Sequence, residues 1–172
     1  RDSRRGKDYL RLFRHIMDFP NITLVSVACT KVPETIWAMR ECQQYFNFAE
    51  SILITHEDIK EKGIKTVKID KLDYYGYNEF VAMKLKDYIN TDYCLLAQND
   101  GYILRPEKWT DEFLNYDYIG APWRIPEDGA YRTPQGELVR VGNGGFSFRS
   151  KKLLEAPSRL GLAFSDMGTG YP

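Results

Sequence analysis

The most constraining feature of the chain is a short apolar run, residues 93–97, that breaks into Gln98, Asn99 and Asp100 before a glycine. An uncharged run of about five residues with such an ending is typical of a buried central strand whose carboxyl end reaches a binding site. Asp100 would then lie at that end. A second interpretation is a plain strand-ending turn, since Asn-Asp-Gly is also strong turn chemistry.

Three further strand-length runs, residues 22–29, 51–56 and 64–69, alternate with helical patterns along the chain. The first two are apolar and rich in β-branched residues, as in buried parallel strands. The third alternates apolar and polar residues and is expected nearer an edge. Strands separated by helices predict an α/β, Rossmann-like fold with one mostly parallel central sheet and helices on both faces.

The remaining pattern adds shorter elements. Helices are expected after Pro33 and over 77–90, 105–114 and 151–160, short strands over 102–104 and 116–123, extended chain over 146–149, and a long irregular loop over 124–140.

Length and composition narrow the class of protein. A chain of 172 residues fits one domain that buries roughly 70% of the surface its unfolded form exposes. Its 24 basic and 24 acidic residues cancel, which argues against a nucleic-acid binder that relies on a strongly basic surface. The three cysteines show no CxxC spacing and no even pairing. Free thiols in a reducing compartment, and hence a cytoplasmic location, are expected. No apolar run approaches the ~18 residues of a transmembrane helix.

The amino-terminal residues form a separate pattern. Residues 7–17 place apolar side chains on one helical face and Lys7, Arg11 and Arg14 on another. Such a basic amphipathic helix can lie on an anionic membrane surface or dock onto its own domain. We therefore divide the chain into an N-terminal helix, residues 1–20, and an α/β domain, residues 21–172.

Polar residues at predicted strand ends are candidates for binding. Thr30 and Lys31 follow the first strand where a helix begins, a natural anion or nucleotide pocket, although capping and a solvated lysine explain them equally well. His56 follows the second strand and could contact a base or ribose, or be a loop histidine. Gln98 could hydrogen-bond a ribose. Asn78 and Lys84 lie on the predicted 77–90 helix, where a cation could reach a diphosphate or simply face solvent.

A glycine-rich stretch is the second unusual feature. Gly142, Asn143, Gly144 and Gly145 precede an extended pattern, and glycines at this density let a ligand approach the backbone. Asn143 offers both donor and acceptor groups to sugar hydroxyls. Trp123 could stack on a sugar face, although an aromatic residue at a strand end is ordinarily part of the core. Together they predict one wall of a sugar site, across a cleft from Asp100.

Four stretches together resemble a known pattern. They are Tyr77-Asn78-x-Phe80, Gln98-x-Asp100-Gly101, Asp117-Tyr118-Ile119-Gly120-Ala121-Pro122-Trp123, and Gly142-Asn143-Gly144-Gly145-Phe146-Ser147-x-Arg149. Across residues 22–160 the chain resembles a poorly characterised, mostly bacterial family of glycosyltransferase-like domains with a GT-A fold, linked to capsule and cell-surface polysaccharide genes. In that family an acidic pair follows shortly after the position of Pro172, so the domain is expected to continue beyond it.

The resemblance implies a glycosyltransferase that moves a sugar from a UDP- or GDP-linked donor to a hydroxyl of a glycan or lipid-linked acceptor. In GT-A enzymes a similar strand ends in Asp-x-Asp, whose carboxylates hold a divalent cation against the donor diphosphate. Here only Asp100 keeps an acid, and one carboxylate suits Mn²⁺ or Mg²⁺ because phosphate oxygens and water fill the other positions. Asp128, Glu137 and Asp166 are unranked candidates for the catalytic base. The alternative is a catalytically silent domain of the same fold that binds a nucleotide, a glycan or a partner protein.

Overall fold

The strand-length runs of the sequence lie side by side in one sheet. The computed structural model describes residues 17–122, 132, 136–138, 141–142 and 144–164. Its strands are β1 (Met17–Ala28), β2 (Phe46–Thr55), β3 (Lys65–Lys68), β4 (Tyr93–Leu96), β5 (Tyr118–Gly120) and β6 (Ser147–Ser150). Their order across the sheet is β3-β2-β1-β4-β6-β5. The helices around it are α1 (Val32–Gln43), α2 (Tyr74–Glu79) and α3 (Lys151–Arg159).

The sheet is mostly parallel, as predicted. β1 pairs in parallel with both β2 and β4, and β2 pairs in parallel with β3. β6 runs antiparallel to its neighbours β4 and β5. The alternating third run forms β3, which lies at the edge as expected. β1 lies between two parallel neighbours with helices on both faces, which explains its nearly unbroken apolar sequence.

Alternate sheet residues point to opposite faces, and each face has its own core. On the α1 face, Leu24 and Leu53 pack with Met39 of α1. On the α2 face, Val25, Ile52, Ile54, Cys94 and Leu96 pack with Phe80, Val81 and Leu85 from the helical segment and Leu154 from α3. Helices on both faces of the sheet are therefore confirmed, and the described residues form a single α/β domain.

The first two strands begin earlier than the sequence predicts. β1 starts at Met17, which the helical pattern of residues 7–17 assigns to the N-terminal helix, and β2 starts at Phe46, five residues before the predicted strand over 51–56. Aromatic packing explains the extension, because the rings of Phe19 and Phe46 stack with their centroids 4.4 Å apart. The backbone N–H of Met17 also donates to Tyr45 O at 3.1 Å. The proposed boundary at residue 20 therefore lies inside β1.

The helical segment before β4 changes its winding along its length. The Asp73 side chain accepts a hydrogen bond from Gly76 N at 2.8 Å and caps α2, so the helix begins at Tyr74 rather than at 77. It continues as a π-helical turn over Phe80–Lys84 and a 3₁₀ turn over Leu85–Tyr88. These turns place Phe80, Val81 and Leu85 against the sheet.

Two other predictions differ from the structure. Residues 102–104 form no strand, and the expected helix over 105–114 consists of two 3₁₀ turns, Pro106–Lys108 and Asp111–Asn115. Trp109 explains the interruption, because it leaves the helical conformation and packs its ring 4.4 Å from that of Phe19. Most of the predicted loop over 124–140 lies outside the described residues, which do include an isolated antiparallel bridge between Arg132 and Leu138.

Candidate functional site

The topology creates a crevice between β1 and β4. The chain passes from β1 to β2 and β3 on one side, then crosses back to β4 on the other side of β1. These four strands are parallel, so their carboxyl ends share one edge of the sheet. In open α/β sheets, ligands bind outside this edge where the strand order reverses. The candidates that follow β1 and β4, among them Lys31 and Asp100, therefore lie at the expected position.

Asp100 lies in a tight turn directly after β4. Ala97 N still donates to Val25 O at 3.0 Å, and Gly101 N then donates to Gln98 O at 3.1 Å and closes the turn. The turn is therefore present, and it leaves Asp100 exposed, without a hydrogen bond or ion pair to any described residue. An unpaired carboxylate here fits a single protein ligand of a divalent cation whose other ligands are phosphate and water.

Among the described residues, Asp100 does not belong to a larger cluster of metal-ligating side chains. Within the described ranges, no three or more His, Cys, Asp or Glu residues come together in a group that could hold a metal ion. A metal ion at Asp100 would need further ligands, which water or the oxygens of a bound diphosphate can supply.

Gln98 contacts a residue that the sequence analysis did not select. Its Nε2 donates to the Tyr77 hydroxyl at 2.6 Å, which joins the end of β4 to α2. Burial raises the pKa of Tyr77, while the Gln98 hydrogen bond and the nearby Arg149 charge lower it, so the phenol stays protonated at neutral pH. The side-chain amide oxygen of Gln98, Oε1, makes no hydrogen bond to the described residues and remains able to accept one from a ribose hydroxyl.

Arg149 supplies the positive charge of the site. It lies in β6 opposite Cys94 of β4, and its Nε donates to Ser147 Oγ at 3.0 Å. The side chain thus runs along β6 towards the carboxyl edge of β4. Its guanidinium lies over the Tyr118 ring, with Cζ 5.5 Å from the ring centroid. No carboxylate lies within ion-pair distance of Arg149 among the described residues, so the charge is available to an anion.

The glycine-rich stretch contacts this guanidinium. A Cβ placed on Gly144 would lie 3.3 Å from an Arg149 terminal nitrogen, so a side chain at Gly144 would press on the arginine. Gly144 and Gly145 are half-buried beside the start of β6. Asn143 lies outside the described residues, as do Trp123, Asp128 and Asp166. Glu137 is exposed in a short described piece.

The end of β1 carries backbone strain. Lys31 adopts a left-handed conformation with φ of 49°, and no other described non-glycine residue has a positive φ. It precedes α1 but makes no side-chain capping bond, so the capping explanation does not account for it. A non-glycine residue in this region costs of order 1 kcal/mol or more and is often found at binding sites. Thr30 and Lys31 are both exposed and accessible to a ligand.

The other predicted residues divide into two groups. His56 is half-buried after β2, and its Nδ1 is buried without a hydrogen-bond partner, which leaves a polar atom for a ligand or water to satisfy. Asn78 is half-buried in α2, one residue after Tyr77. Lys84 is different, because it is exposed in the π-helical turn that leads back towards the start of β4. The structure therefore does not bring Lys84 to the carboxyl edge.

Two residues of the site, Tyr77 and Arg149, were missed as ligand-binding candidates. Both belong to the stretches that carried the family resemblance, so their presence in those motifs was an available signal. Their roles depend on contacts between distant parts of the chain, from α2 to β4 and from β6 to β5, which periodicity does not reveal.

Residues 63–159 match the family described as "Protein of unknown function (DUF5672)". The chain belongs to the DUF5672 family. The matched range contains Tyr77, Asp100 and Arg149, whereas Lys31 and His56 precede it. The DUF5672 description names no activity, so the activity implied by the sequence resemblance stays a proposal. A comparison with curated proteins found no match.

Among solved structures, the chain is similar to the mannosyltransferase PcManGT from Pyrobaculum calidifontis, solved in complex with GDP-Man and Mn²⁺. The two are 12% identical with a TM-score of 0.47, and the alignment covers 95% of this chain and 54% of that one. The DUF5672 chain thus spans about half the length of that protein. None of its described helices combines the length and apolar character needed to cross a bilayer.

Proposed function

We propose that the domain is a cation-assisted glycosyltransferase that uses a nucleotide-sugar donor. The observation that carries the proposal is that an unpaired carboxylate, Asp100, follows the carboxyl end of β4 at the reversal of strand order, while the Arg149 side chain on the neighbouring β6 runs towards the same end without a carboxylate partner among the described residues. A carboxylate suits a cation, and a guanidinium suits phosphate oxygens directly. A nucleoside diphosphate with a divalent cation is the ligand that uses both groups.

The reaction assigns roles to the residues of the chain. The bond between the anomeric carbon and the diphosphate oxygen breaks, a bond to the acceptor oxygen forms, and a carboxylate takes the acceptor proton. Arg149 would bind the departing diphosphate, and Gln98, held by Tyr77, would accept a hydrogen bond from the ribose. A Mn²⁺ or Mg²⁺ ion held by Asp100 would supply further neutralisation of the diphosphate charge.

The remaining parts of the proposal come from the sequence. Asp128, Glu137 and Asp166 stay unranked as the base, while Asn143, Gly144, Gly145 and Trp123 stay candidates for the sugar wall. The acceptor would be a glycan or a lipid-linked glycan of a surface polysaccharide, modified in the cytoplasm or at the membrane surface. Thr30, Lys31, His56 and Asn78 would surround the nucleotide.

A second candidate is a catalytically silent domain that binds a nucleotide sugar without transferring it. The sequence favours it in one respect, because Asp100 is the only acid kept from the Asp-x-Asp pattern of GT-A enzymes. Donor hydrolysis separates the two functions, since a silent domain binds the donor and leaves it intact.

The test is calorimetric titration of UDP and GDP with and without Mn²⁺. Asp100→Asn should remove most of the affinity gained on adding Mn²⁺, with little change in melting temperature because the side chain is exposed. Arg149→Gln should weaken binding by about tenfold or more under both conditions, since a charged hydrogen bond is lost. Matched controls are Asp92→Asn, an exposed acid at the opposite end of β4, and Arg159→Gln, an exposed arginine of α3.

Each of the two substitutions tests a different contact of the proposed site. An unchanged Mn²⁺ increment in Asp100→Asn would remove Asp100 as the metal ligand. Equal nucleotide affinity in Arg149→Gln and the parent would remove the diphosphate contact. If neither nucleotide binds the full chain, the proposed function itself is wrong.

A further inference from the structure

An open cavity of about 400 Å³ lies on the α1 face, between the sheet and residues 102–109. Ile22, Leu95 and Phe148 form its floor, and the rings of Phe46 and Trp109 line it. Its volume falls within the roughly 300–1,000 Å³ range of small-molecule sites. The exposed Leu104, with 76% of its surface accessible, belongs to the lining, so the cavity opens to solvent at that side.

The charge at this cavity has one sign. Apart from Arg105 and Lys108, the described lining residues carry no formal charge. Both side chains are exposed, and neither makes an ion pair or hydrogen bond with another described residue. A deep apolar lining with unpaired cations at its opening is complementary to a molecule with an apolar chain and an anionic head.

The cavity lining adjoins residues of the candidate site along the chain. Tyr102 and Ile103, which line it, follow directly on Asp100 and Gly101, and Phe146 and Ser147 follow directly on Gly144 and Gly145. The two segments touch, because a Cβ placed on Gly101 would lie 2.8 Å from the Cβ of Phe146. The cavity lining is therefore joined along the chain both to Asp100 and to the glycine-rich stretch.

The chain's own amino-terminal residues are a poorer match for the cavity. Residues 1–16 carry six basic and two acidic residues, so their net positive charge repels Arg105 and Lys108. The same charge is attracted to an anionic lipid surface. We propose that the cavity binds the apolar chain of a lipid phosphate, with the phosphate held by Arg105 and Lys108. The identification of this lipid as the acceptor rests on the proposed function, whereas its binding does not.

The experiment uses the full chain and two single-chain amphiphiles below their micellar concentrations, octyl phosphate and octyl glucoside. Binding is measured by calorimetry and by the fluorescence of Trp109, which lines the cavity. Octyl phosphate should bind saturably and at least tenfold more tightly than octyl glucoside. Glycerol phosphate, which has the head without the chain, should not bind at these concentrations.

Two sets of substitutions locate the binding. Ala121→Trp adds a large side chain at an exposed lining position and should lower octyl phosphate affinity at least tenfold, whereas Ala163→Trp, exposed elsewhere, should not. Arg105→Gln with Lys108→Gln should reduce octyl phosphate affinity to that of octyl glucoside and leave octyl glucoside unchanged. Lys60→Gln with Lys62→Gln, a matched exposed pair, should change neither affinity.

Each outcome decides the proposal. The proposal is overturned if octyl phosphate does not bind, which is the result expected if residues 1–16 occupy the cavity. It is also overturned if the Arg105 and Lys108 substitutions leave the preference for octyl phosphate over octyl glucoside unchanged. Arg105 and Lys108 are exposed, so their substitutions should not unfold the protein and still test the proposal if Ala121→Trp fails to fold. Octyl phosphate binding without any UDP or GDP binding would support the lipid site and reject only the proposed transferase.

Discussion

The two faces of the sheet are closed to different degrees. On the α2 face, branched and aliphatic side chains such as Val25, Ile54 and Leu96 are fully buried beneath two helical segments. On the α1 face, rings including Phe19, Phe46 and Trp109 pack against one another beneath 3₁₀ turns and leave an open cavity. The comparison indicates a difference in packing: the α2 face is fully closed, whereas the α1 face leaves an open cavity beside its rings.

The largest expected effect is a difference in stability between matched truncations. Leu85→Ala on the α2 face removes a side chain with 0% exposure and should lower the free energy of unfolding by about 2–5 kcal/mol. Leu104→Ala at the cavity removes the same atoms from a residue with 76% exposure and should cost less than about 0.5 kcal/mol. Urea-induced unfolding measures both. Similar losses would show that the cavity is closed in solution and that the two faces do not differ.

The same comparison explains which predictions from sequence succeeded. The α2 face and the parallel strands consist of short apolar runs with clear periods, so residues 51–56 and 64–69 were placed in the right strands. The aromatic extension at Phe19 and Phe46 was missed, because ring stacking between two strands is a contact over a long sequence separation. The helix predicted over residues 105–114 failed for the same reason, since Trp109 turns towards the α1 face.

The candidate site was predicted only in part. Residues at strand ends, such as Asp100 and Lys31, could be found because topology sends the ends of parallel strands to one edge. The left-handed conformation of Lys31 could not, because its sequence contains no glycine or asparagine signal there. Arg149 could not be predicted for another reason: its proposed function depends on the direction of its side chain, which contacts Ser147 of β6 and Tyr118 of β5.

A smaller expected effect is a difference between the two faces in how fast their buried cysteines react. Cys42 lies on the α1 face and Cys94 on the α2 face, and both have 0% exposure. Burial raises the pKa of Cys42 to about 11, partly offset by a hydrogen bond from the Ile103 backbone, and raises that of Cys94 to about 12. Because both thiols are buried, alkylation requires local opening, and Cys42, on the face with the cavity, should react with iodoacetamide at pH 8 faster than Cys94.

The labelling is followed by mass spectrometry of the peptides, with urea-unfolded protein as the control in which both thiols react alike. Faster labelling of Cys94 in the folded protein would contradict the comparison, because it would show that the α2 face opens more readily than the face with the cavity.

The smallest expected effect concerns Asp117, where the end of the sheet joins α3. Its carboxylate accepts a hydrogen bond from Ser150 Oγ at 2.6 Å and one from Lys152 Nζ at 3.3 Å, and Ser150 also caps α3 through Leu153 N. These bonds lower the pKa of Asp117 below 3.8, with the Ser150 hydrogen bond as the largest cause. A pKa that is lowered in the folded state means that the stabilisation is present above the pKa of the unfolded chain and is lost as the pH falls through the pKa of the folded protein.

Asp117→Asn should therefore lower the melting temperature slightly at pH 7, and the difference from the parent should shrink below pH 3.8. The group is exposed, so the loss should be much smaller than that of Leu85→Ala. Melting curves from pH 7 to pH 2.5 measure it, with Asp111→Asn, an exposed acid in a 3₁₀ turn, as the control. A difference that stays constant across this range would show that the charge of Asp117 contributes nothing and that only its geometry matters.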